Sequence, residues 1–322
     1  MDLSILIVTY NSAGLIDSLL NQLQGELTPL KAEVVLVDNA SRDGTAELVA
    51  SQHPWVKLVA SRENLGFAAG NNLAAQHASG HILLLLNPDA IPETGALARG
   101  LALMAQHPDA GLAGGELRSE DGSRQPSARM FPTLRDEWFI MSGLAARYPN
   151  SSLFSRLDRG GADPDKSAVV DWIPGAFVFI PASLWAQLGG LDERFFMYSE
   201  EVDFCRRLFK MGYRVYYWPE LKAMHIGGAS AKTVEQGRVS KSGTQLESWR
   251  MRSNLLYYRK HHGAWGTFCV FALEWAWHKL RLIKAQVTGR SEKAADFAVH
   301  CQQLSQAWRD TDGGRTSPAR PW

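Results

Sequence analysis

The chain has 322 residues, with 34 Lys plus Arg against 33 Asp plus Glu and a net charge of +1. That length supports one large domain or two ordinary ones, and the balanced charge leaves no field that favours nucleic acid. Cys205, Cys269 and Cys301 are scattered and lack CxxC spacing, so neither a cysteine zinc site nor a disulfide framework is indicated, and a reducing, cytoplasmic setting is expected. Met1 leads into a strand pattern with no basic leader, and the longest uncharged apolar stretch, near Gly263 to Leu273, is too short to span a bilayer.

Strand and helix patterns alternate through the first third. Leu3 to Tyr10 reads as a buried strand, followed by a helix from the Asn11-Ser12 cap to about Gln24. Val34 to Val37 reads as a strand ending at Asp38, with a helix after Asp43-Gly44. Trp55 to Ala60 reads as a strand, Phe67 to His77 as a helix and Ile82 to Leu86 as a strand buried on both faces. Ile91-Pro92 is expected to open a helix to about Gln106, and Ala110 to Ala113 to form a short strand. The alternation predicts an α/β fold with a doubly wound, mostly parallel sheet flanked by helices. Residues 116 to 170 lose periodicity and read as an irregular insert on the acceptor side. A strand at Ala176 to Ile180, a helix at Ala182 to Leu188, a helix at Glu200 to Met211 and a strand at Tyr213 to Trp218 follow. Beyond Thr244 the chain reads as helices, and the polar tail after Asp310 as disordered.

Polar residues cluster where strands end. Asn87-Pro88-Asp89 places a carboxylate at the carboxyl end of a central strand, where open α/β sheets bind ligands and a divalent cation can meet a diphosphate. Asp38 follows the second strand, suited to a ribose or base. The run from Glu63 to Asn72 carries Gly66 and Gly70, which either admit a ligand backbone closely or pack a helix on a strand; neither GxGxxG nor a Walker loop is present. Glu200, Glu201 and Asp203 fall in four positions at a helix start, fitting either capping or an enclosed general base. His225, before Gly227-Gly228, is either structural or a metal or phosphate contact.

Taken in order, TYN at 9–11, DNASRDGT at 38–45, NLGFAAGNN at 64–72, NPD at 87–89, GGLDERFFMYSEEVDFCRR at 189–207 and HIGGAS at 225–230 resemble glycosyltransferase family 2, most closely its rhamnosyltransferase-like subgroup. The resemblance covers roughly residues 1 to 262. It implies a GT-A fold, an inverting mechanism, a UDP- or dTDP-sugar donor, and Mg2+ or Mn2+. By resemblance, Asp38 contacts the base, and Thr9, Asn11, Asn64, Gly66, Asn71, Asn87 and Gly175 line the nucleotide and sugar. Asp89 and His225 hold the metal, with Asn87 standing where many members carry a first aspartate. The family pattern Glu-Asp-x-Asp reads Glu200-Glu201-Val202-Asp203 here, so Glu201 takes the place of the catalytic base, with Asp203 and Glu200 in reserve.

Domain expectations follow: a catalytic domain over 1–243, with a nucleotide-binding half to about 115 and an acceptor half over about 116–243. A helical region over 244–310 and a disordered tail over 311–322 complete it. Residues 245 to 290 hold eight Lys or Arg against Glu247 and Glu274, a net of +6, interleaved with aromatics. Such a segment suits peripheral contact with the inner face of an anionic membrane, or packing on the catalytic domain or a second subunit of a homodimer. The expected activity is transfer of a sugar, rhamnose first, to a carbohydrate or lipid-linked acceptor in polysaccharide or glycolipid assembly. A nucleotide-sugar-binding protein with impaired catalysis and a nucleotidyltransferase are the alternatives.

Overall fold

The computed structural model describes residues 1–27, 29–227 and 245–319. Strands β1 (Leu3–Thr9), β2 (Ala32–Asp38), β3 (Lys57–Ala60) and β4 (Ile82–Leu86) alternate with helices α1 (Ala13–Leu27), α2 (Thr45–Gln52) and α3 (Gly66–Gln76). β1 pairs in parallel with β2 and β4, and β2 with β3. The chain works outward from β1 to β3, then crosses back to place β4 on the other side of β1. That reversal opens a crevice at the carboxyl ends of β1 and β4, the position at which doubly wound sheets bind ligands.

Burial explains why these runs are strands. Leu3, Ile5, Ile7, Leu84 and Leu86 pack on one face with Ile16, Leu19, Leu20 and Leu23 of α1. Leu6, Leu83 and Leu85 face the other way, into a core with Trp185, Phe204 and Leu208. The period of two thus feeds two cores, and both faces of the sheet are covered.

The second half adds β5 (Ala90–Pro92), α4 (Ala96–Gln106), β6 (Ala110–Arg118), β7 (Arg124–Gln125), α5 (Leu134–Met141), α6 (Leu144–Arg147) and β8 (Ala168–Val170). It continues through β9 (Phe177–Pro181), α7 (Ala182–Leu188), α8 (Glu200–Lys210) and β10 (Arg214–His225). The sheet order is β3-β2-β1-β4-β9-β6-β10-β5. β9 lies antiparallel between β4 and β6, while β10 runs parallel to β6. β1, β2, β3, β4, β6 and β10 therefore point one way, with β9 and the short β5, β7 and β8 against them. Leu86 opposite Phe177 means that β9 begins where β4 ends.

Several expectations need correction. Ile91-Pro92 does not open a helix: Ala90–Pro92 pairs with Ala223–His225, and α4 starts only at Ala96, after Gly95 turns left-handed at φ 80°. The strand read at Ala110 to Ala113 extends to Arg118. The insert over 116–170 carries regular elements, including α5 with a Thr133–Asp136 capping box. The last strand continues past Trp218 to His225, bent by register shifts against β6.

Two C-terminal helical segments complete the fold, α9 (Gln245–Val287) and α10 (Ser291–Asp310). Gly263, at φ 71° and ψ −173°, breaks α9 into two helices. Met251, Leu255, Leu256, Tyr257 and Tyr258 share a core with the sheet, so this region packs against it. The segment after Asp310 is not disordered through residue 319. Thr311 is fully buried and donates to Ala307 O at 2.7 Å, and Ser317 donates to Arg194 O at 2.8 Å.

Candidate active site

The carboxyl ends of β1 and β2 form one wall. Thr9 sits opposite Asp38 in register and donates to its Oδ1 at 3.0 Å. Ser41 donates to both carboxylate oxygens, through Oγ at 2.5 Å and backbone N at 3.0 Å. Asn11 adopts φ 50° and braces the same loop, receiving Arg42 N at Oδ1 and donating its own N to Ser41 Oγ, both at 2.9 Å. Asp38 is thus buried, fixed and still able to accept a further donor, because a carboxylate offers about four acceptor positions.

The second wall is the entry to α3. Gly66 has φ +80°, and a Cβ there would lie 2.3 Å from Phe196 O, so the position admits only glycine. Phe67 N donates to that same Phe196 oxygen at 2.8 Å. Asn64 accepts Gly66 N at 2.9 Å, and Asn71 donates to Phe67 O at 2.9 Å. These two asparagines shape the loop. Asn39, which the sequence did not single out, ties the walls together: its side chain donates to Gly66 O at 3.1 Å and its backbone N to Thr9 O at 2.8 Å.

At the end of β4, Asn87 N donates to Ala176 O at 2.9 Å, setting Gly175 beside the Asn87-Pro88-Asp89 turn. Asp89 Oδ1 lies 3.4 Å from His225 Nε2, at the β5–β10 edge. Gln125 donates Nε2 to His225 O at 2.6 Å, so its Oε1 faces His225 Nδ1 at 2.8 Å. An amide oxygen only accepts, so Nδ1 carries a proton, and in the neutral imidazole Nε2 is the nitrogen left to bind a cation beside Asp89. A carboxylate and an imidazole lone pair facing each other fit a cation between them. The Gly228-Ala229-Ser230 part of the sequence motif lies outside the described residues.

The acids at the start of α8 divide into two kinds. Tyr198 (φ 72°) and Ser199 (φ 69°) are both left-handed without being glycine, a strained entry of the sort that collects at functional sites. Glu200 is buried, and Oε2 of both Glu200 and Glu201 has no hydrogen-bond partner among the described residues. Burial pushes the Glu200 carboxyl well above its ordinary value, with the charge of Glu201 adding to it. Burial also raises Glu201, against the opposing charge of Arg129. Glu201 lies close to the segment beside β4's end: a Cβ on Gly175 would lie 3.9 Å from Glu201 Cβ and 3.2 Å from Phe67. Asp203 is different. It is fully buried against Arg207 at 2.8 Å, Lys260 at 2.5 Å and His261 at 2.7 Å. Burial alone would raise its carboxyl, but the His261 hydrogen bond and the Arg207 and Lys260 charges hold it below the usual range. Asp203 anchors α8 to α9.

Contacts and chain neighbours link His225 through Asp89, Asn87, Ala176 and Gly175 to the vicinity of Glu201 and Phe67, and Phe67 through Gly66 and Asn39 to Thr9 and Asp38. These contacts link the residues singled out from the sequence along the carboxyl-terminal side of the sheet, while Asp203 faces α9. Arg129, Gln125, Asn39, Lys260 and His261 were missed. Arg129 comes from the weakly patterned insert, is held by Asp158 at 2.6 Å and lies 4.7 Å above the Trp172 ring.

Comparison with known proteins fits this geometry. The family described as glycosyl transferase family 2 matches residues 4–156, and glycosyl transferase family group 2 matches residues 82–297. An N-acetylglucosaminyl-diphospho-decaprenol L-rhamnosyltransferase of Mycobacterium tuberculosis is 31% identical over 238 residues, covering 69% of this chain and 75% of the relative. Rhamnosyltransferase WbbL of Escherichia coli K12 is 30% identical over 172 residues, covering 50% of this chain and 60% of its own. The mannosyltransferase PcManGT of Pyrobaculum calidifontis, solved with GDP-Man and Mn2+, matches with a TM-score of 0.53 at 19% identity, over 94% of this chain and 86% of that one. At that identity the likeness speaks to the fold, which is of the GT-A type. The chain belongs to glycosyltransferase family 2 and is a rhamnosyltransferase-like member of it.

Proposed function

We propose that this enzyme transfers a sugar, rhamnose first among the candidates, from a UDP- or dTDP-linked donor to a hydroxyl of a lipid-linked or polysaccharide acceptor, with inversion. What supports this reading is the series of contacts that joins Asp38, the Asp89–His225 pair and Glu201 along the carboxyl-terminal side of the sheet. The M. tuberculosis relative, by its name, acts on a lipid-linked acceptor, and PcManGT was solved with a nucleotide sugar and a divalent ion.

In this mechanism Asp38, braced by Asn11 and Ser41, holds the base, and Gly66 and Gly175 let Phe196 and Phe67 pack closely against the loops that border the donor. Glu201 takes the proton of the acceptor hydroxyl as the oxygen reaches the anomeric carbon on the face opposite the diphosphate. The transition state has oxocarbenium character, and one carboxylate suffices because a diphosphate leaves without protonation. Its raised pKa makes Glu201 a stronger base than an exposed glutamate. Asp89 and His225 would hold Mg2+ or Mn2+, which neutralises charge on the departing diphosphate. A binding protein without turnover is the second reading, favoured by glutamate in place of the family's aspartate at 201.

Thermal unfolding with a panel of sugar nucleotides tests the assignment. UDP- and dTDP-sugars are expected to raise Tm, less so with chelator, and Asp89→Asn is expected to remove the metal-dependent part. No shift with any nucleotide would contradict it.

The C-terminal helices leave Trp265, Phe268, Leu280, Ile283 and Val287 exposed near Lys279, Arg281 and Lys284. No helix among the described residues is long and apolar enough to cross a membrane. We infer peripheral contact of this face with anionic lipid, where apolar side chains and basic charge act together. Cosedimentation with phosphatidylglycerol vesicles should fall for Trp265→Ser with Phe268→Ser. Unchanged binding in that variant, or none in the parent, would remove the contact.

A further inference from the structure

One cluster of metal-ligating side chains plays no part in the crevice. Glu274 and His278 stand four residues apart on α9, on one helical face, and His300 reaches them from α10. One ligand atom from each lies within 4.8 Å of the other two. His300 Nε2 is 3.1 Å from Glu274 Oε1, and the two imidazoles stack at 3.7 Å between centroids. Glu274 and His300 are buried, and His278 Nδ1 is buried with no hydrogen-bond partner among the described residues.

We propose that Glu274, His278 and His300 form a divalent transition-metal site, with Zn2+ the ion that fits, clamping α9 to α10. Two imidazoles and one carboxylate are a zinc donor set, and binding one ion in common would turn the stacked rings of His278 and His300 apart. An ion would also give the buried His278 Nδ1 the partner it lacks among the described residues. Arg250 approaches Glu274 Oε1 at 3.4 Å, but Glu247 already engages it at 2.6 and 3.0 Å, so carboxylate remains to neutralise an ion. The pair Asp89–His225 shares no residue with this cluster, so the two sites are separable.

The test uses the full chain stripped with chelator, in an Asp89→Asn background so that the donor site adds nothing. Equilibrium dialysis against Zn2+ with elemental analysis is expected to give one ion per chain, lost on adding His278→Ala or His300→Ala. Zn2+ is also expected to raise Tm, because an ion bound only to the folded state stabilises it. Co2+ in the folded Asp89→Asn protein should give the intense visible bands of a four-coordinate site, a readout independent of whether the histidine variants fold. Absence of bound Zn2+, retention of the ion by both histidine variants, or Co2+ spectra of a purely hydrated ion would overturn the proposal.

Discussion

Glu201→Gln is expected to lower sugar transfer by about 10²–10⁴-fold, the usual worth of a positioned general base, while donor-induced stabilisation persists. Glutamine keeps the volume beside Gly175 and Phe67 but cannot accept the acceptor's proton. Glu201→Asp, which restores the family's residue with a shorter reach, should retain part of the rate. Burial raises the Glu201 carboxyl, so transfer should climb with pH through a value above the ordinary glutamate range. Initial rates of nucleoside diphosphate release across pH would measure both effects. Transfer by Glu201→Gln at the parent rate would move the base elsewhere, with Glu200 the nearest candidate.

Asp203→Asn should instead destabilise the fold, by about 3–5 kcal/mol, as expected when one partner is removed from a buried ionic cluster. Arg207, Lys260 and His261 would be left around a neutral amide. The pH dependence has a definite sign. The Asp203 carboxyl is held low in the folded state, so its contribution is present above the unfolded pKa and is lost as pH falls through the folded one. The gap between parent and variant should therefore be widest near neutrality and close in strong acid. Denaturant unfolding at several pH values would read it. A variant as stable as the parent, but inactive, would mean that Asp203 acts on substrate after all.

Much of this arrangement was legible in the chain because local patterns coincide with tertiary need. Ile82 to Leu86 is apolar without interruption because both faces of β4 are covered, and the polar residues that follow it fall where the strand leaves that cover. What stayed hidden depends on partners distant in sequence. Pro92 is an acceptable first residue of a helix, but pairing with Ala223 recruits it into β5. Gln125 matters only because it fixes the tautomer of His225, a hundred residues on. Arg129 sits in a stretch with no usable period, and its proximity to Glu201 follows from the packing of the insert on the sheet. Thr311 is polar, yet it caps α10 and is fully buried, which composition alone could not reveal.

The most direct test is a crystal structure of Glu201→Gln with an intact dTDP- or UDP-sugar and Mn2+. Anomalous density for the ion should lie between Asp89 and His225, with the base beside Asp38 and the sugar's anomeric carbon facing residue 201. A nucleotide lodged away from the β1–β4 crevice, or an ion bound without Asp89, would contradict the account.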